Sequence, residues 1–204
     1  EIRKRFPDQR APHYGEAIAA GRAREPHGPA MLLDVAKDVS QPAIVRGTAL
    51  SLLRGAGSGD FTEAMRAGLR DPDPLIRQGA LVGIGDLGIN ERWRLAGHLL
   101  DDELRSIRID AAMALAPMLG NDLRQAEREN LQRAVREYIE TQQLNADRPE
   151  ALTNLGGIYA MSGNHAGAEE SLRMAIDLEP GWLPALLNLA DLYRSTGRDP
   201  EARE

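Results

Sequence analysis

The sequence predicts an all-α chain, a right-handed superhelix of repeated helical hairpins, and three observations carry that expectation. Residues 151–163 read ALTNLGGIYAMSG and residues 185–197 read ALLNLADLYRSTG, a phrase with six identical positions offset by 34 residues (151 to 185). Arg46, Arg77 and Arg108 recur at a second interval, 31 residues, and Ala49, Ala80 and Ala111 follow in step. Alanine, leucine and arginine dominate while aromatic residues make up only 4%, a composition that favours helices over strands. Fixed-interval repetition is the signature of hairpins that stack because none can bury its apolar face alone.

From the N-terminus, residues 1–28 form a leading segment in which Ala17 to Arg24 reads as a short capping helix. The next block, residues 29–120, holds three units of the shorter period. Each ladder arginine follows a branched apolar residue: Val45, Ile76 and Ile107. In DPDPLIRQGALVGIGDLG, residues 71–88, Asp and Pro precede an apolar run, which are helix-start signals, and Leu87-Gly88 reads as a stop. Phe61 to Leu69 and Trp93 to Leu100 supply the first helices of the second and third units. These residues resemble short HEAT-like repeats, whose second helix opens with a similar Asp-Pro, Val-Arg, Ala-Ala, Leu-Gly pattern.

The remaining block, residues 121–204, keeps the 34-residue interval, and the two segments are expected to join around residues 119–123. Leu152, Leu155 and Tyr159 fall at i, i+3 and i+7 as one apolar stripe, and Leu186, Leu189 and Tyr193 repeat it. Gly163 and Gly197 stand where a helix should end, since glycine tolerates the left-handed cap conformation. A second helix runs through Ala168, Leu172, Ala175 and Ile176 to Glu179-Pro180-Gly181. The set Leu152, Leu155, Gly156, Tyr159, Gly163, Ala168, Leu172, Ala175, Pro180 resembles the tetratricopeptide repeat. The second copy keeps Leu186, Leu189, Ala190, Tyr193, Gly197 and Ala202, then stops inside its second helix. Residues 122–147 resemble a degenerate preceding repeat with its two helices fused. The open face of the last repeat is expected to favour end-to-end self-association.

Composition narrows the function. The net charge is −6, and 23 of 25 basic residues are arginine without a run long enough to track a phosphate backbone, so nucleic acid is disfavoured. The dense run Arg3-Lys4-Arg5 reads as a solvated end. No apolar stretch reaches the ~20 residues that cross a bilayer, and no secretory leader is visible. The absence of cysteine excludes disulfides, thiolate metal sites and cysteine nucleophiles within these residues. A chain that begins at Glu1 is expected to be a fragment or a processed product.

No catalytic, cofactor-binding or metal-ligating residue is predicted. The four histidines, His13, His27, His98 and His165, are not spaced i, i+4, and none precedes glutamate. The deoxyhypusine hydroxylases, built from HEAT-like hairpins, use His-Glu pairs to hold iron, and such pairs are missing. His98 and His165 read as structural residues, His165 at a repeat position usually filled by a bulky packing residue. There is no Gly-x-Ser-x-Gly elbow, and Gly55-Ala56-Gly57-Ser58-Gly59 lacks the lysine of a phosphate loop. Asp71, Asp73, Asp101 and Asp102 sit where carboxylates cap helix starts, and the arginine ladder reads as a set of links between hairpins.

What remains is a docking surface. The tetratricopeptide resemblance implies that the first helix of each repeat lines a concave face, on which side-chain amides hold an extended peptide. The partner-binding residues it nominates are Glu150, Thr153, Asn154, Leu187, Asn188 and Asp191. Asn154 and Asn188 read equally as fold-supporting residues. The nearby positions carry no lysine for a carboxylate clamp, so Glu150 and Asp191 suit a neutral or basic segment. The expected function is a non-enzymatic scaffold for a protein or extended peptide. Two alternatives stand beside it. The order of parts from residue 14 resembles the tail of bacterial multihaem cytochrome c-type proteins, which implies a periplasmic setting, a redox partner or second subunit, and haem c only upstream of Glu1. Without that resemblance a cytoplasmic setting is expected. The other alternative is a helical-repeat lyase or hydroxylase.

Overall fold

A computed structural model describes residues 13–55 and 59–203. The basic run at residues 3–5 and the middle of the 55–59 connection lie outside the described residues. The described residues contain helices and no strand. The α-helices are α1 (Tyr14–Arg22), α2 (Gly28–Lys37), α3 (Ala43–Leu52), α4 (Gly59–Gly68), α5 (Pro74–Gly83), α6 (Ile89–Ala96), α7 (Arg105–Leu115), α8 (Gln125–Gln143), α9 (Pro149–Met161), α10 (His165–Leu178) and α11 (Leu183–Ser195). Short 3₁₀ turns follow α5, α6 and α7, and another covers Glu201–Arg203.

Packing divides the described residues into one compact unit up to Ala96 and another from Gly97. The change of repeat period near residue 120 thus falls inside the second unit, because packing and repeat length divide the chain by different criteria.

Helix starts are specified locally. The Asp73 carboxylate accepts the Leu75 N–H at 2.9 Å, with Pro74 opening α5. Asn164 accepts the Gly167 N–H at 3.1 Å at the start of α10. The leading helix begins at Tyr14, earlier than Ala17, because the His13 ring nitrogen Nδ1 accepts the Gly15 N–H at 3.0 Å and caps it there. Helix α6 likewise begins at Ile89, ahead of Trp93. Residues 122–147 contain one helix of 19 residues, α8, and no break inside it.

In the first unit, α1 packs on α2 and α3, α2 on α3 and α4, and α3 on α4 and α5. Ala49 and Ala80 are fully buried there, as are the large side chains Leu32, Leu53, Met65, Leu69 and Ile76. The tightest approach joins α3 to α5. A Cβ built on Gly79 would lie 2.0 Å from the Gly47 carbonyl oxygen, and one on Gly83 would lie 2.6 Å from that of Leu50. Backbone meets backbone, so no side chain can yield.

The second unit follows the same neighbour rule: α7 on α8, α8 on α9, α9 on α10 and α11, α10 on α11. Its C-terminal core gathers Leu152, Leu155, Ala168, Leu172, Ala175, Ala185 and Leu192. A Cβ on Gly156 would fall 2.5 Å from Leu172 Cγ, so glycine sets the α9–α10 spacing.

Replacing Gly79 by Ala is expected to destabilise the first unit by at least about 2 kcal/mol, because α3 and α5 must separate. Gly88→Ala, with open space around the added Cβ, serves as the control in denaturant titration. Equal midpoints for the two variants would show that the α3–α5 contact is not set by Gly79.

Candidate docking surface

The nominated surface lies on α9 and α11, which pack side by side in the second unit. On α9 the stripe Leu152, Leu155 and Ile158 is buried, which leaves Glu150 and Asn154 exposed on the other side. On α11 burial of Ala185, Leu192 and Tyr193 leaves Leu187, Asn188 and Asp191 exposed. Five of the six nominated residues are therefore available to a partner.

Thr153 is not. It is buried, its hydroxyl donates to the Pro149 carbonyl at 2.7 Å, and the same oxygen accepts the Trp182 indole N–H at 2.9 Å. Its role is to pin the start of α11 to the start of α9. The sequence signal was Trp182 itself, 29 residues on, an aromatic N–H that needs a partner once half-buried.

The exposed residues are partly engaged. The Asn154 amide donates to Gln142 Oε1 at 3.2 Å, a tie from α9 back to α8. Asn188 shows no such bond among the described residues, so the two amides are not equivalent. Glu150 pairs with Arg148 at 3.7 Å, and Asp191 pairs with Arg194 one turn on.

The end of the last hairpin is held by a charged cluster that sequence reasoning missed. Glu169 on α10 accepts from Arg198 Nη1 at 2.7 Å and from the Tyr193 hydroxyl at 3.1 Å, and pairs with Arg173 Nη2 at 2.7 Å. The Arg198 guanidinium also sits 4.4 Å above the Tyr193 ring. The Arg198 hydrogen bond, above all, holds the Glu169 carboxyl below the usual carboxylate range, and burial raises the Tyr193 hydroxyl.

The arginine ladder is structural. Arg77 donates to the carbonyls of Asp71 and Pro72 at 2.8 and 3.0 Å. Arg108 does the same to Asp102 and Glu103 at 2.8 and 3.1 Å, and also grips Glu137 on α8. Arg46 reaches the Ala36 carbonyl and the Asp71 carboxylate. His98 and His165, read from the sequence as structural, are both exposed: His98 sits in a 3₁₀ turn and His165 is the first residue of α10. His27 pairs with Glu25 at 3.0 Å. Among the described residues no three His, Asp or Glu side chains are grouped to hold a metal ion, and no helix is long and apolar enough to cross a membrane.

The first unit carries a polar cleft of about 820 Å³, lined by Arg22, Arg24, Arg54 and Asp86 among others. Arg54 pairs with Asp86 at 2.6 Å. Arg24 occupies the left-handed region (φ 53°), where the closing turn of α1 would ordinarily take glycine. The cleft lies past the C-termini of α1 and α3, whose free carbonyls carry partial negative charge, and the guanidiniums complement them.

The class that this fold and surface define is an all-helical protein. Set beside known proteins, the chain matches no family model, no curated protein and no solved structure.

Substituting Thr153 by Val keeps the shape but strands the Trp182 N–H, with an expected cost of about 1–2 kcal/mol in thermal unfolding; an unchanged melting temperature would remove the pinning role. Glu169→Gln should cost on the order of 1 kcal/mol near neutral pH. A depressed folded-state pKa gives stability that is present above the ordinary value of 4.5 and fades as pH falls through the folded value. The gap between the parent and Glu169→Gln should therefore close on acidification, and a gap independent of pH would contradict the assignment.

Proposed function

We propose that the chain is a non-enzymatic scaffold, an α–α superhelix of HEAT-like hairpins followed by tetratricopeptide hairpins, that docks an extended segment of another protein along α9 and α11. The observation that carries this reading is a closure repeated at the 34-residue interval. Gly163 (φ 78°) and Gly197 (φ 74°) both end their helices in the left-handed conformation. In the first, Asn164 N–H donates to the Tyr159 carbonyl at 2.9 Å and Gly163 N–H to Ala160 at 3.1 Å. In the second, Arg198 donates to Tyr193 at 2.8 Å and Gly197 to Arg194 at 3.2 Å. Equivalent residues make equivalent bonds, which supports repeats rather than chance similarity.

The same principle holds at the 31-residue interval. Asp71 accepts the Asp73 N–H at 3.0 Å and Asp102 the Leu104 N–H at 2.9 Å. Within the first unit α1 reaches α3, α2 reaches α4 and α3 reaches α5, and within the second α9 reaches α11, contacts that favour local stacking of neighbouring hairpins. In such stacks the exposed helix faces carry binding. Here those faces offer leucine, asparagine and carboxylate side chains from adjacent parallel helices.

Selection of peptides from a display library against the full chain tests the proposal. Selected peptides should bind with affinity that falls at least about fivefold, roughly 1 kcal/mol, in the Asn154→Ala/Asn188→Ala double variant, with helicity by circular dichroism unchanged. Failure to select any peptide would count against docking. Equal affinity for both proteins would move the site away from the two asparagines.

A further inference from the structure

We infer that the end of the second unit formed by residues 144–150 and 177–183 receives a basic, leucine-bearing amphipathic segment of a partner protein. This surface presupposes the docking role proposed above and names the chemistry of the partner.

The topology gathers four helix ends there. Helices α8 to α11 are joined by short connections and pack consecutively, so they alternate in direction. The end of α8, the start of α9, the end of α10 and the start of α11 consequently share one end of the bundle. The Trp182–Thr153 hydrogen bond of 2.9 Å fastens the second connection to the first turn of α9.

Two properties coincide at this end. The first is apolar exposure: Leu144 is 81% exposed, Leu178 54%, Leu183 59% and, one turn into α11, Leu187 54%. A single exposed leucine needs no explanation, but four at one end of a small bundle form a surface from which water gains by being displaced. The second is charge. Between residues 144–150 and 177–183 the acids are Asp147, Glu150, Asp177 and Glu179, and the sole base is Arg148, already committed to Glu150. Asp147, Asp177 and Glu179 make no ion pair with a described residue.

Two helix N-termini and two C-termini meet here, so their partial charges offset one another and the side chains set the sign. The wider sequence agrees. Residues 97–204 hold 19 acidic and 11 basic side chains, whereas residues 1–96 hold 12 and 14. An acidic peptide, a nucleic acid or an anionic lipid surface would be repelled. Exposed leucines that share this end with Asp147, Asp177 and Glu179 suit a segment with apolar residues on one face and lysine or arginine on the other.

The test titrates the full chain with three synthetic peptides of about four helical turns: leucine–lysine, leucine–glutamate and serine–lysine. The leucine–lysine peptide should bind, with amide shifts concentrated at residues 144–150 and 177–187 in heteronuclear NMR. Its affinity should fall about tenfold between about 0.05 and 0.5 M salt. The other two peptides should bind at least about tenfold more weakly. Leu183→Ser/Leu187→Ser and Asp177→Asn/Glu179→Gln alter exposed side chains, so melting temperatures should hold while each loses about tenfold in affinity for the leucine–lysine peptide. Equal binding of all three peptides, or leucine–lysine binding indifferent to both variants, overturns the inference. If the leucine–lysine peptide fails while library-selected peptides still depend on Asn154 and Asn188, the basic-partner inference falls and the docking role survives. If both fail, both fall.

Discussion

The structure rests on one geometric arrangement: its short helices share their apolar faces between two neighbours rather than one. In the first unit each of α1, α2 and α3 meets the next helix and the one after it. The second unit obeys the same rule around α9. Leu32, Ile76, Leu131 and Leu172 are almost fully buried between neighbouring helices. Close approach makes this feasible. Gly47, Gly79 and Gly83 let α3 and α5 touch through their backbones, and Gly156 lets α9 settle onto Leu172. Where the spacing is so small, volume rather than chemistry decides which residue is tolerated.

Apolar contact between helices is not directional, and the arginines add directional bonds to it. Arg77 and Arg108 each bond two carbonyls of the connection before their own helix, at positions offset by the repeat length. A guanidinium has several donors in a fixed fork, so it can hold a loop and reach an acid on another helix at once. Arg108 does so with Glu137 on α8, while Arg46 bonds the Ala36 carbonyl of α2 and the Asp71 carboxylate in the connection before α5. At the C-terminal hairpin Arg198 plays a related part with Glu169, but it follows α11 rather than standing in the first turn of an α-helix. That change of place explains why periodicity did not reveal it: the ladder repeats, and the clamp occurs once.

Legibility in the sequence followed the same division. Features that recur at a fixed interval could be read, because equivalent residues there make equivalent bonds, as at Gly163 and Gly197. The helices, the buried alanines at 49, 80 and 111, the glycine stops at 163 and 197 and the carboxylates of Asp71, Asp73 and Asp102 before helix starts all belong there, whereas Asp101 pairs with Arg133 instead. Features set by a single local partner could not be read. His13 moved the first helix start by capping it, and Arg24 took a backbone conformation usually left to glycine. His165 stands at a position expected to be filled by packing, yet the turn before α10 leaves it in solvent. Helix boundaries depend on such individual bonds more than on apolar rhythm.

Thr153 and Leu187 bring this to bear on the surface itself. They occupy the same repeat position, 34 residues apart, yet Thr153 is 7% exposed and Leu187 is 54% exposed. The difference comes from Trp182, whose indole crosses to the Thr153 hydroxyl and covers it. Threonine fits under the ring because its hydroxyl bonds the Pro149 carbonyl and still accepts from the indole. Leucine has no such acceptor and stays open beside Asn188. A repeat position is therefore a site of opportunity rather than a function. What it does depends on whether a neighbouring element closes over it, and the positions on α11 and the adjoining connections are among those left uncovered. Side chains there are free of the packing constraint that governs the rest of the bundle, so their leucines and carboxylates are the residues a partner can select.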